Sequence, residues 1–349
     1  MKRVLVAALN WGLGHATRCM PLIDSLLENG FEVMIASDGA ALRLLQASYP
    51  TLRVFELPSY GIAYRTENMF LNIFRLMPGI LSAVNKENKV ISRIREEQKL
   101  DIVISDNRYG CYAAGCTNIF ITHQINIQTG SKIIDRIVRR INKSRIARFD
   151  QLWIPDVDNE DSLSGNLSHE FGKISIPYCY MGLISRFKNC QESPRQGVLV
   201  ILSGPEPQRT IFEQQVMEQA IQLGERVTIV RGVVEGSVSK SEINNLTIYN
   251  YADGPLLNEL ICSSEVVVAR SGYSTLMDLA ITGSKALLLP TPGQTEQIYL
   301  AKHLANRGVF VFQEQKSLHL EKGIAEAKKA AKPDFPTENQ LDKLVKTLY

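Results

Sequence analysis

The chain has 349 residues, 45% of them apolar and 21% charged, which excludes a disordered chain and suggests about two domains. Its 39 basic and 36 acidic residues leave a net charge of +3, too small an excess for a protein built mainly to hold nucleic acid. Six cysteines without a Cys-x-x-Cys pair argue for a reducing compartment and against a cysteine metal site. The apolar run 4–9 is short for a secretion signal. The most apolar window, 69–84, is broken by Asn72, Arg75 and Pro78 before it reaches the ~20 residues of a membrane span. A cytoplasmic protein is expected.

In chain order, residues 4–9 predict a buried strand, followed by the turn Gly12-Leu13-Gly14. A helix follows, with Leu22, Ile23, Leu26 and Leu27 on one face and Asn29-Gly30 at its end, then a strand over 31–36. Strand, glycine turn, helix and strand form a βαβ unit, whose right-handed crossover implies a parallel sheet. Further strands are predicted at 54–57, 102–105, 119–122 and 152–154. The second half repeats the alternation, with strands at 197–202, 227–230, 246–249, 266–269 and 286–289. Its helices are predicted at 210–223, 255–263, 273–282 and 296–306. The polar, aperiodic stretch 187–197 reads as a linker. The fold class is therefore α/β, with two doubly wound domains over residues 1–186 and 187–349. The last helix, 338–348, is expected to pack back on the first domain.

Ligands of doubly wound sheets sit outside the C-terminal strand edges, and two glycine turns fall there. The first is Gly12-Leu13-Gly14-His15. A histidine at a helix N-terminus stays neutral and can serve as a general base. Asp106, at the end of the strand 102–105, can orient it or act itself, and His123 is a third option. Asp38 stands where a dinucleotide fold has its ribose carboxylate, but Thr17 departs from that fingerprint. The second turn is Arg270-Ser271-Gly272-Tyr273-Ser274-Thr275, leading to Asp278. Small residues and hydroxyls at a helix N-terminus suit a phosphate, and Asp278 is placed to accept from a ribose diol. The loop 290–297 adds Gln294, Glu296 and Gln297 as readers of sugar hydroxyls. Together these turns favour a nucleotide-diphosphate-sugar site.

These segments resemble GT-B glycosyltransferases of family 28, typified by the lipid-linked peptidoglycan N-acetylglucosaminyltransferase. The resemblance implies two Rossmann-like domains facing a central cleft, the first binding acceptor and the second the nucleotide sugar. Residues Thr122-His123-Gln124-Ile125-Asn126 resemble the family's acceptor-side motif, which with Gly12 and Gly14 assigns His123, Gln124 and Asn126 to the acceptor. Residues 182–186 resemble a Gly-Asn-Pro-Val-Arg segment, making Arg186 a diphosphate contact. Ser203-Gly204-Pro205 takes the place of a phosphate loop, Tyr251 falls near the uracil contact, and Asp278 replaces a ribose-binding Glu. Gln297 matches the first of two sugar-binding glutamines, whereas Ile298 replaces the second. The segment Gly12–Cys19 is also similar to nucleotide-sugar hydrolases in which a histidine activates water.

Asp156-Val157-Asp158 matches a metal-binding D-x-D but reads as a solvated acidic loop, so no metal and no cofactor is expected. The segment 132–148 alternates Lys132, Arg136, Arg139, Arg140, Lys143, Arg145 and Arg148 with isoleucines. Residues 69–76 are similarly apolar with one cation. Either stretch suits an anionic membrane surface at the inner face of the cell membrane. The expected activity is inverting, metal-independent transfer from a UDP-sugar or related donor to a hydroxyl acceptor, a lipid-linked one included. The alternatives are a nucleotide-sugar hydrolase or epimerase, and a non-catalytic sugar-nucleotide-binding subunit.

Overall fold

Continuous apolar runs become parallel strands because a strand covered on both faces has no polar side to alternate with. In the computed structural model, residues 1–61, 69–190, 194–233 and 238–349 are described, with 69–78 described by backbone alone. The chain divides into two units, Met1–Ile184 with Glu338–Tyr349, and Ser185–Thr337.

The first unit contains β1 (Arg3–Ala8), β2 (Glu32–Ser37), β3 (Arg53–Glu56), β4 (Ile102–Asp106), β5 (Thr117–Ile121), β6 (Gln151–Ile154) and β7 (Tyr178–Tyr180). They form one sheet in the order β3-β2-β1-β4-β5-β6-β7, and all its pairs are parallel. The helices are α1 (Gly14–Glu28), α2 (Gly39–Ser48), α3 (Met69–Gln98) and α4 (Lys132–Ile146). Alternate residues of β1 serve opposite faces, as a period of two requires. Val4, Val6 and Ala8 pack with Leu22, Ile23 and Leu26 of α1, while Leu5 and Ala7 pack with Ile91 and Ile94 of α3.

The C-terminal helix, Leu341–Lys346, lies in this unit and inserts Leu341 and Val345 into the core beside α1. Gly182 allows its approach. With φ of +80°, it would place a Cβ 2.8 Å from the Asn339 backbone, so a side chain there would collide.

The second unit contains β8 (Val198–Ile201), β9 (Val227–Val230), β10 (Lys240–Ile243), β11 (Leu246–Tyr249), β12 (Val266–Ala269), β13 (Ala286–Leu288) and β14 (Val311–Phe312). Their order is β10-β11-β9-β8-β12-β13-β14, parallel except for the antiparallel β10–β11 pair. Its helices are α5 (Gln208–Ala220), α6 (Gly254–Ser263), α7 (Tyr273–Thr282), α8 (Thr295–Asn306) and α9 (Leu320–Lys329).

The strands β7, β10 and β14 go beyond those predicted. β10 is Lys-Ser-Glu-Ile and exposed throughout, so it carries no apolar pattern to read. Cys190 and Cys262 form a disulfide, a pairing that runs against the expectation of a reducing compartment. It ties the start of the polar linker to the end of α6. Residues 191–193 of that linker lie outside the described residues, as do the side chains of 69–76.

Candidate active site

In a doubly wound sheet the ligand crevice opens where successive connections leave in opposite directions. In the first unit that point lies between β1 and β4, since β2 and β3 extend one edge and β5 to β7 the other. The turn after β1 runs through Gly12, whose φ of +72° is accessible to glycine without strain, and enters α1 at Gly14. His15 therefore stands on the first turn of α1. Asp106 is the last residue of β4, in register with Ala8 of β1.

The Asp106 carboxylate is buried and gathers four donors. His15 Nδ1 lies 3.0 Å from Oδ1, Arg18 Nε donates to Oδ2 at 2.5 Å, and Arg18 Nη2 donates to Oδ1. The Cys19 thiol lies 3.4 Å from Oδ2. Arg18 Nη1 reaches His123 Nδ1 at 3.4 Å, so one guanidinium links Asp106 to His123. Arg18 and His123 are buried, whereas the His15 side chain retains 15% exposure and can meet a substrate. Beneath the cluster a small cavity is lined by Cys19, Leu22, Ile121, Met181 and Ile184, an apolar floor that strengthens the charge interactions above it.

Burial would raise the Asp106 pKa, but the Arg18 cation and the hydrogen bonds from Arg18 and His15 hold it well below the usual carboxylate range. The His15 pKa is lowered by burial and by the Arg18 cation, against the raising effect of Asp106. Asp106 is thus anionic at neutral pH and His15 is neutral, the state in which an imidazole accepts a proton.

In the second unit the corresponding point lies between β8 and β12. Ser203 and exposed Gly204 follow β8, and the 270–272 turn follows β12. Gly272 begins α7 with no side chain to fill the space over the first turn, where a helix favours negative charge. Within this unit the Ser185 hydroxyl donates to Asp278 Oδ1 at 2.5 Å, which brings Arg186 beside α7. The Arg186 guanidinium lies over the Phe187 ring at 4.9 Å, and its Nε has no hydrogen-bond partner among the described residues. Burial pushes the Asp278 carboxyl up to about 6, although Ser185 and Arg186 oppose the shift.

Residues 198–346 match the glycosyltransferase family 28 C-terminal domain. A UDP-N-acetylglucosamine–N-acetylmuramyl-(pentapeptide) pyrophosphoryl-undecaprenol N-acetylglucosamine transferase of Sulfurihydrogenibium sp. is 27% identical over 330 residues, covering 92% of this chain and 87% of its own. Among solved structures, the glycosyltransferase of kitacinnamycin aligns with a TM-score of 0.65 at 12% identity, over 99% of this chain and 93% of that one. The Streptomyces sp. SF2575 glycosyltransferase SsfS6, complexed with thymidine diphosphate, aligns at 0.60 and 16%, over 100% and 99%. The chain is a glycosyltransferase with the two-domain GT-B fold, and its second half matches the family 28 C-terminal domain.

Several residues of the glycosyltransferase have other partners than those expected. Arg270 is buried and donates to the carbonyls of Leu289, Pro290 and Gln208, with its guanidinium 4.2 Å over Phe212. Its side chain braces these loops. Ser271 is buried and donates to the Gln297 carbonyl, and Tyr273 lies in the core. The Gln297 amide is used within its own loop, accepting from Thr291 N at 2.8 Å and donating to Gln294 Oε1 at 2.5 Å.

On the acceptor side, Asn126 donates to the carbonyls of Asn166 and His169 and so joins two loops. Gln124 is partly buried, with its carbonyl accepting from Asn142. Ser274, Thr275, Glu296 and Tyr251 are partly buried. Asp38 is held by Arg108 and Asn10, which removes it as a ribose ligand. Asp156 is also not solvated. It is fully buried and accepts from Ser162, Ser164 and the backbone of 157, 163 and 164, while Asp158 is exposed.

The residue that composition and motif reading undervalued is Arg18. Its signals in the sequence are its place in the hydrolase-like segment Gly12–Cys19 and its position one helical turn after His15, a spacing that sets both on one face of α1.

Proposed function

We propose that this glycosyltransferase moves a sugar from a nucleoside diphosphate sugar, of UDP or a related nucleotide, to a hydroxyl acceptor with inversion at the anomeric carbon. The observation that carries this reading is the His15–Asp106 pair at the crevice of the first unit. With Nδ1 directed at a carboxylate, Nε2 is left to take the acceptor proton as the new glycosidic bond forms. The acceptor oxygen then attacks the face opposite the leaving diphosphate, which is how inversion arises. The diphosphate takes its compensating charge from the α7 N-terminus and Arg186, and Asp278 holds the ribose. Ser203 and Gly204 line the phosphate side, and Gln294 and Glu296 face the sugar. His123 and Gln124 border the acceptor.

A metal-free mechanism is part of the same proposal. The cationic end of a helix and one arginine supply the charge a divalent ion would otherwise provide. The D-x-D aspartate nearest to a metal motif already has its oxygens engaged by at least five donors.

The lipid-linked acceptor of the Sulfurihydrogenibium relative is consistent with the surface of α4. Ile133, Ile137 and Ile141 recur every fourth residue and are 76%, 55% and 46% exposed, flanked by Lys132, Arg136, Arg139 and Arg140. An apolar stripe between cations is the pattern of a helix lying on an anionic membrane, and we place the protein at the inner face of the cell membrane. No described helix is long and apolar enough to cross it.

A second reading, hydrolysis of the nucleotide sugar, is favoured by one feature. Arg18 and Cys19, which complete the hydrolase-like segment after His15, both contact Asp106. The assay is release of nucleoside diphosphate from a panel of nucleotide sugars, with and without lipid extract. Release that requires the extract supports transfer, and equal release with free sugar supports hydrolysis.

A further inference from the structure

We propose that Arg18 is the positioning residue of this site, fixing the His15 ring on Asp106 and neutralising that carboxylate so that the pair works as a neutral base. The inference rests on the reading of His15 as the base. It goes beyond that reading by assigning the state of the base to a third residue.

In a simple histidine–aspartate pair, the carboxylate orients the ring but also stabilises the protonated imidazole, so the base fills with protons near neutral pH. Arg18 separates these two effects. Its Nε and Nη2 take both oxygens of Asp106, the forked geometry in which arginine binds a carboxylate most strongly. The carboxylate keeps its place beside His15, and its charge is balanced by the guanidinium.

Arg18 Nη2 also lies 2.8 Å from His15 Nδ1, while Asp106 Oδ1 lies 3.0 Å from the same nitrogen. One ring nitrogen thus stands between a fixed donor and a fixed acceptor. In the Nδ1–H tautomer it donates to Asp106, and the lone pair is left on Nε2. Protonating the ring would set an imidazolium against a guanidinium in a buried cluster.

The titratable and charged groups facing His15 are Arg18 of its own helix, Asp106 of β4 and His123 of the loop after β5, with Cys19 touching Asp106 behind them. Arg18 and His123 disfavour the proton, and Asp106 favours it. Burial acts with Arg18, and the lowered proton affinity of His15 agrees with this balance.

The test needs no substrate. The chain has five histidines, so ring signals of ¹³C,¹⁵N-histidine-labelled full-length protein can be assigned with His15→Gln. In the wild type, His15 is expected as the Nδ1–H tautomer with a titration midpoint below the ordinary 6.5. In Arg18→Gln, the midpoint is expected to rise by about one pH unit or more, and in Arg18→Lys, which keeps the charge, it stays closer to wild type. A His15 in the Nε2–H tautomer in the wild type overturns the proposal even if neither variant folds. A folded Arg18→Gln with an unmoved midpoint also overturns it, leaving Arg18 a structural ion-pair partner. Because the measurement is made without donor or acceptor, its failure is distinct from failure of the glycosyltransferase assay.

Discussion

His15 Nδ1 lies 3.0 Å from Asp106 Oδ1 although 91 positions separate the two residues. The sheet order explains the meeting. β1 and β4 are neighbours, and the register that pairs Ala8 with Asp106 ends both strands at the crevice. A carboxylate ending one strand then faces the helix that begins after the other. The pair is a product of topology as much as of side-chain chemistry.

Removing either partner should lower activity, in different ways. His15→Gln is expected to reduce kcat by about 10²–10⁴-fold with donor affinity unchanged. Asp106→Asn should lower kcat and disturb Arg18 as well, since one buried charge would lose its partner. In the wild type, the acid-side fall of kcat/KM should lie at lower pH than an ordinary histidine would give, because the His15 pKa is lowered. A pH–rate profile checks the sign.

The donor site predicts a second pH effect. Asp278 is raised to about 6, so it is largely ionised at pH 7.5 and largely protonated at pH 5. A carboxylate accepting from a ribose diol loses acceptor strength on protonation, so donor Kd should weaken as pH falls through 6. Asp278→Asn should weaken binding by about tenfold, the worth of one charge-assisted hydrogen bond, and abolish that pH dependence. Calorimetric titration with the best nucleotide or nucleotide sugar, between pH 5 and 8, reads both.

The α4 surface predicts salt-sensitive lipid binding. Each cation near an anionic surface contributes about 1 kcal/mol. Arg136→Glu with Arg140→Glu should therefore reduce partition onto anionic phosphatidylglycerol vesicles by well over tenfold, and Ile133→Asp with Ile137→Asp should do the same by removing the apolar contact. Neither pair should alter nucleotide binding. Vesicle co-sedimentation at two salt concentrations measures the effect.

The C-terminal helix predicts a stability effect. Leu341 is buried in the core of the first unit with Val345 and Leu348. Leu341→Ala is expected to cost about 2–5 kcal/mol by cavity formation, while exposed Lys343→Ala should stay within about 0.5 kcal/mol. Urea denaturation of the two variants compares them.

Much of this architecture was legible in the residues because parallel strands advertise themselves as unbroken apolar runs. Val266–Ala269 of β12 is four apolar residues in a row, and the helix Tyr273–Thr282 follows it after the turn at Gly272. The glycine turns at Gly12 and Gly272 were legible for a related reason, since each marks a strand end that must bend sharply into a helix. What the residues could not reveal was the direction of side chains. Arg270 and Gln297 have the chemistry of ligand contacts, yet both turn to backbone groups because loops at a crevice must be braced before they can bind. Asp156 looked solvated beside other acids, but the polar loop after it wraps its carboxylate. Arg18 lay in plain view, and its role needed Asp106 and His123, 88 and 105 positions away.

The most direct test of the central claim compares wild type with His15→Gln for release of nucleoside diphosphate from the preferred nucleotide sugar, with and without the hydroxyl acceptor. In the wild type, release should depend on acceptor, with the sugar recovered on the acceptor as the inverted anomer. In His15→Gln, it should fall by at least a hundredfold, with nucleotide binding intact. Acceptor-independent release of free sugar, or full transfer activity in His15→Gln, would contradict the claim.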